Sequence, residues 1–308
     1  MSKYLWLEEY APQTVADCIL PQTVKQTFLH YVKDGQFPNL ILAGPAGSGK
    51  TSLARALCND VGADFLFINA SLDRGIGEVR TTVAQFASCT SLTGGNKVVF
   101  LDEADNLTQD SQKALRALIE EFQNHCRFIL TCNYPYNIIE AIHSRCNVVD
   151  FSVRREDPTF KKLVGEFGMR VVEILKKNKI EFDPKVLVKY LESSAPDWRG
   201  ILNNLQGKTQ TGTLTSDILD ETPEALVDLI KHKKWNDVQK WVSDHAMIHP
   251  KHLELSIYDA LQSKLTNESK PLAVLIFAEQ SDKILRGADA YISLLALCTR
   301  IMMECEFK

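Results

Sequence analysis

At 308 residues the chain exceeds what one small core needs and points to two or three domains. Hydrophobic residues make up 45% and charged residues 24%. That is an ordinary soluble balance, and with no apolar run near the ~20 residues that span a bilayer and no charged-then-apolar leader in Met1-Ser2-Lys3-Tyr4, the protein is expected to stay in the cytoplasm. A net charge of −4 excludes the basic signature of a stand-alone nucleic-acid binder, so DNA contact would need locally arranged positive groups or several copies pooling them.

Residues 1–152 alternate short apolar runs with helix-length segments. Strands are expected at 39–43, 65–69, 97–101, 126–131 and 148–151, with helices near 51–60, 76–90, 111–123 and 135–144. This is the α/β pattern of a mostly parallel sheet covered by helices on both faces. After Arg155 the strand signals stop. Residues 157–207 read as helices broken at Asp183-Pro184 and Ser194-Ala195-Pro196, the first break resembling a helix start. The stretch 206–213 reads as a polar linker. Residues 222–308 read as a second helical unit, with Leu226, Leu229 and Ile230 on one face and Val274, Ile276 and Phe277 on another. The cysteines Cys18, Cys58, Cys89, Cys126, Cys132, Cys146, Cys298 and Cys305 form no C-x-x-C pair and are expected to be free thiols. His245, His249 and His252 have metal-like spacing, but Pro250 interrupts them and no carboxylate or cysteine partner is evident, so no metal is expected there.

The chemistry begins at Gly44-Pro45-Ala46-Gly47-Ser48-Gly49-Lys50-Thr51, a complete G-x-x-x-x-G-K-[ST] between a strand and a helix. Its glycines let backbone N–H groups turn toward phosphates, and the helix opening through Ser52 points its positive end at them. Lys50 supplies a point charge for the β- and γ-phosphates of ATP, and Thr51 can ligand Mg²⁺. About fifty residues on, Val98-Val99-Phe100-Leu101 delivers Asp102 and Glu103 to a strand's C-terminal end, where ligands bind in open α/β sheets. Asp102 is expected to hold the Mg²⁺ and Glu103 to orient or deprotonate the attacking water. Asp102-Glu103-Ala104-Asp105 also matches a DEAD-type helicase; such helicases need a second nucleotide-binding domain, and here the second half is helical.

Four further strings narrow the class. Ile129-Leu130-Thr131-Cys132-Asn133 is a strand ending in a polar residue, and Asn133 is placed beside Asp102. Ser144-Arg145-Cys146 follows an apolar segment. Pro196-Asp197-Trp198-Arg199-Gly200 starts a helix with an arginine. Trp6-Leu7-Glu8-Glu9-Tyr10-Ala11-Pro12 lies near the N-terminus, followed by Cys18-Ile19-Leu20-Pro21. Singly, each is an ordinary turn, surface arginine or helix start. Together with the loop they resemble the replication-factor-C-like sliding-clamp loaders of the AAA+ ATPases, and within them the large ATPase subunits of the T-even-type bacteriophage branch.

That resemblance implies an AAA+ nucleotide-binding domain at 1–152, a helical lid at 153–212 and a helical collar for oligomerisation at 213–308. It implies an ATP hydrolase that opens a sliding clamp and loads it onto primer-template DNA. The subunits would form a five-subunit ring with a smaller loader subunit. Asn133 takes the position of sensor 1 and Arg199 that of sensor 2, while Arg145 would reach a neighbouring subunit's ATP. Leu7, Glu8, Glu9, Tyr10 and Ile19 would border the nucleotide, although Glu9 and Ala11 stand where the family's N-terminal box has Lys and Arg. Arg74 and Arg80 would meet DNA, and Gln112 and Arg116, four apart on one helix face, would couple DNA to the neighbouring site. Two other readings stay open: another AAA+ machine, such as a branch-migration motor or a remodelling ATPase, and a non-enzymatic nucleotide-binding scaffold.

Overall fold

The computed structural model describes residues 5–71, 76–89, 96–210, 212–245, 250–285 and 288–308. They divide into two compact units, one of Met1–Lys179 with Ala195–Gly207, the other of Ile180–Ser194 with Lys208–Lys308.

The first unit runs α1 (Trp6–Glu9), α2 (Gln22–Asp34), β1 (Leu40–Ala43), α3 (Lys50–Asp60), β2 (Asp64–Asn69), α4 (Ile76–Ser88), β3 (Lys97–Asp102), α5 (Gln109–Glu121), β4 (Arg127–Cys132), α6 (Glu140–His143), β5 (Asn147–Asp150) and α7 (Pro158–Lys177). Its sheet is parallel throughout, in the order β2-β3-β4-β1-β5. Alternate side chains take opposite faces of a strand. Ile41, Val99, Leu101, Phe128 and Leu130 pack with Val83, Leu115 and Ile119 of α4 and α5, whereas Leu40, Leu42, Val98, Phe100 and Ile129 pack with Phe28, Leu53 and Leu57 of α2 and α3. Both faces are covered, which is why these strands read as unbroken apolar runs.

Three expectations change here. The segment expected as one helix at 135–144 is a 3-10 turn, Pro135–Asn137, followed by the four-residue α6. Ile138 and Ile139 between them are extended, because Gln112 claims the Ile139 N–H. No element was expected between Leu20 and Asn39, yet α2 lies there, with Phe28 its one buried residue; so narrow an apolar stripe gives little periodic signal. Strand pairing does not stop after Arg155.

In the second unit β6 (Glu181–Phe182) pairs parallel with β7 (Thr213–Leu214). Part of the expected linker is therefore strand, and another part is the end of α9 (Trp198–Lys208), which follows α8 (Pro184–Ser194) in the chain and belongs up to Gly207 to the first unit. Five helices then form a separate core: α10 (Pro223–Lys231), α11 (Trp235–Asp244), α12 (Pro250–Gln262), α13 (Ser269–Leu285) and α14 (Ala290–Glu304). Thr222 caps α10 ahead of Pro223, and Asp289 caps α14, both with a side-chain oxygen on an orphan N–H. Leu226 and Ile230 are buried as expected, with Leu229 packed beside them. Val274 is 46% exposed, so it leaves the face of Ile276 and Phe277. Among the described residues no helix is long and apolar enough to cross a membrane.

Candidate functional site

Because β3, β4 and β1 are neighbours in that order, their C-terminal ends set Asp102, Asn133 and the 44–49 loop side by side. Two loop glycines are required sterically. Gly44 has φ 151° and a Cβ there would lie 2.7 Å from the Phe151 Cβ; Gly47 has φ 75° and a Cβ there would lie 1.8 Å from Asp197 Oδ1. Ser48 closes the turn by donating to the Pro45 carbonyl at 2.8 Å.

Lys50 is buried. Its Nζ donates to the carbonyls of Gly44 and Pro45, both at 2.8 Å, and to Asn133 Oδ1 at 3.1 Å. Burial pulls its pKa down to about 8, and the Arg199 charge pulls the same way, against the pull of Asp102 and Asp105. Thr51 Oγ1 donates to Asp102 Oδ1 at 2.9 Å. A hydroxyl beside a carboxylate is the hard oxygen set that suits Mg²⁺, and a caged ammonium above a loop that tolerates no Cβ at Gly44 or Gly47 suits a polyphosphate. These residues fit ATP and Mg²⁺.

Glu103 sits at φ 56°, ψ 44°, the left-handed region that non-glycine residues seldom occupy. Its Oε2 accepts a short hydrogen bond from Ser71 Oγ and a long one, 3.5 Å, from Asn106 Nδ2. Asn106 also donates to Ser71 Oγ at 2.8 Å. Asp105 Oδ2 accepts the N–H groups of Asn133 at 3.1 Å and Tyr134 at 2.9 Å, which fixes the turn carrying Asn133.

One cleft joins the loop to the N-terminal segment. Leu7, Tyr10, Ile19, Gly47, Gly49, Lys50, Thr51, Ser52 and Arg199 all line it, and Gly44 and Ser48 do not. Glu8 and Glu9 do not line it. Glu9 is instead bound to Lys177 at 3.0 Å, and Lys177 stands 4.8 Å over the Tyr10 ring. The Lys177 hydrogen bond holds the Glu9 carboxyl below its usual range.

Arg145 lies away from its own loop. It precedes Asn147, which pairs with Leu40 at the start of β1, so the length of a strand, about 10 Å at ~3.3 Å per residue, separates it from the loop after Ala43. Its guanidinium is paired with Glu120 and donates to the Ala141 carbonyl at 2.6 Å and Ser144 Oγ at 2.9 Å. Gln112 and Arg116 do not share an environment. Gln112 is buried, Arg116 exposed. Arg80 is exposed on α4; Arg74 lies outside the described residues, as does His249. His245 stacks on Trp241 at 3.8 Å, and no metal-holding cluster occurs among the described residues.

Several site residues escaped sequence reasoning. Thr131 Oγ1 donates to Asp102 Oδ1 at 2.5 Å and accepts the Glu103 N–H at 3.0 Å; the signal was a polar residue inside an apolar strand. Phe167 and Arg170 of α7, with Trp198 of α9, also line the cleft. Their helical spacing reads as core, and only the fold brings them to the loop.

The ATPase family associated with various cellular activities (AAA) matches residues 40–153. A replication factor C small subunit of Sulfurisphaera tokodaii is 32% identical over 98% of this chain and 96% of its own. A sliding-clamp-loader large subunit of Escherichia phage RB69 is 35% identical over 76% of this chain and 74% of its own. In fold, RuvB of Thermotoga maritima matches with TM-score 0.53 and 18% identity, over 80% of this chain and 85% of that one.

Proposed function

This chain belongs to the AAA ATPases, in the group of replication factor C and sliding-clamp-loader subunits, and from that premise we propose how its residues divide the work. It is an ATP hydrolase of a DNA-replication clamp loader. The partners are a sliding clamp, primer-template DNA and other loader subunits, including a smaller one, in a five-subunit ring like that of the phage branch. Residues 1–152 form the nucleotide-binding domain, 153–212 the lid and 213–308 the collar through which copies assemble.

Lys50 and the loop N–H groups would hold the β- and γ-phosphates, and Thr51 and Asp102 would hold Mg²⁺. When bound, that ion neutralises charge between the phosphates. Glu103 orients the attacking water and takes its proton. Ser71 and Asn106 occupy one of its carboxylate oxygens, so that clasp loosens before both oxygens can face the water. Asn133, anchored by Asp105 and bonded to Lys50, positions the γ-phosphate. Arg199 lids the phosphates from α9.

The observation that carries this reading is the join of Lys50, Asn133, Thr51 and Asp102 along one sheet edge, with Arg145 at the other. A second copy's Arg145 reaches the γ-phosphate of a site so built and stabilises its charge. Arg74 and Arg80 contact the DNA backbone, while Gln112 and Arg116 transmit that contact toward Arg145. The test is steady-state ATPase with the smaller subunit present. Turnover is expected to be low alone and to rise when clamp and primed DNA are added together; a rate that neither changes sinks the proposal.

A further inference from the structure

Arg170 is a charged residue in the cleft that the chemistry above does not use. It lies on α7 three residues beyond Phe167 and seven before Lys177, so the three share the helix face turned to the N-terminal segment. Phe167 packs against Trp198 with ring centroids 4.5 Å apart. Lys177 grips Glu9 and Tyr10, while Asn178 donates to the Tyr10 hydroxyl at 3.0 Å.

Arg170 donates to the Asp17 carbonyl, its one hydrogen bond among the described residues, which leaves most of its five N–H donors unused. It borders the nucleotide cleft and also a second cavity behind Tyr10, Ala11 and Pro12 that no loop residue touches. The contact with Asp17, two residues before Ile19, sets its guanidinium at the Ile19 end of the cleft. Ala11, the small residue of that wall, leaves the space open, and Glu9 beside it carries the charge opposite to the usual lysine. The cations absent from the N-terminal box reappear on α7 as Arg170 and Lys177.

We propose that Arg170 is a nucleotide-contacting residue that recognises the base-and-ribose half of ATP, taking the place of the arginine missing at position 11. A planar guanidinium stacks on a purine and donates to its ring acceptors or to ribose oxygen. The inference rests on the reading that this cleft takes ATP.

Binding of ATP and ADP to the full-length chain is measured by titration calorimetry. If the unaltered chain binds neither nucleotide, the parent reading fails. If it binds both, Arg170→Gln, which removes the charge and the planar fork, is expected to raise the Kd for ATP and ADP by one common factor, about five- to tenfold. Adding Ala11→Arg to Arg170→Gln is expected to restore most of that loss. Unchanged affinities overturn the proposal. So does a loss for ATP alone, which would put Arg170 at the γ-phosphate, and so does a loss that Ala11→Arg leaves in place, which would make Arg170 a structural prop.

Discussion

Thr131 joins Asp102 to Glu103, the two acidic residues to which the proposed function assigns hydrolysis. Its hydroxyl holds Asp102 Oδ1 and accepts the Glu103 N–H, stabilising a left-handed backbone at Glu103 that costs roughly 1 kcal/mol or more. Thr131→Val keeps the volume and removes both bonds. It is expected to cut kcat by about tenfold or more while ATP affinity changes less than about threefold, because the loop and Lys50 are untouched; stopped-flow binding and steady-state turnover separate the two. Lys97 shows a second residue-scale device. It is buried at the start of β3, and its Nζ donates to the Phe86 carbonyl at 2.6 Å and to the Cys89 carbonyl, closing the C-terminal end of α4. Lys97→Met strips both carbonyls of their donor and is expected to lower unfolding stability by about 1–3 kcal/mol in a urea titration.

Between elements, Gln112 is the brace to test. Its amide donates to Leu107 O at 3.2 Å and Asn137 O at 2.9 Å and accepts the Ile139 N–H at 2.8 Å. It thereby fastens α5 to the turn that leads through α6 to Arg145. Gln112→Leu leaves buried groups unpaired and is expected to cost at least about 2 kcal/mol of stability. In the assembled complex it is also expected to lower DNA-stimulated ATPase more than ATP binding. Unchanged stimulated turnover would separate the brace from the arginine. The same region marks the limit of what was legible in the sequence. Five strands could be read because each is an apolar run between turn residues, and the loop because its chemistry demands a fixed spacing. The turn at 135–139 was not legible, since a side chain 25 residues away holds it open. Glu8 and Glu9 were misplaced for a similar reason: a motif gives neighbours along the chain, whereas Lys177 decides where Glu9 points.

Across the whole molecule, burial raises the thiols of Cys18, Cys58, Cys132, Cys146 and Cys298 to about 12 and that of Cys126 to about 11, from an ordinary 9.0. Above pH ~9 the unfolded chain releases protons that the folded chain keeps, so stability falls as pH rises through that window. Cys58→Ala is expected to make the fall between pH 9 and 11 shallower, by up to about 1.4 kcal/mol per pH unit, in denaturant titrations at each pH. The larger claim concerns assembly. By the function proposed above, the loop, Asp102 and Glu103 form a site that another copy's Arg145 completes. The most direct measurement mixes two inactive variants of the full-length chain, Lys50→Ala and Arg145→Ala, with the smaller subunit, clamp and primed DNA. ATPase activity is expected to return in the mixture, because Arg145 of the first variant faces an intact site of the second. No recovery in mixed assemblies, or full activity in Arg145→Ala alone, would contradict the account.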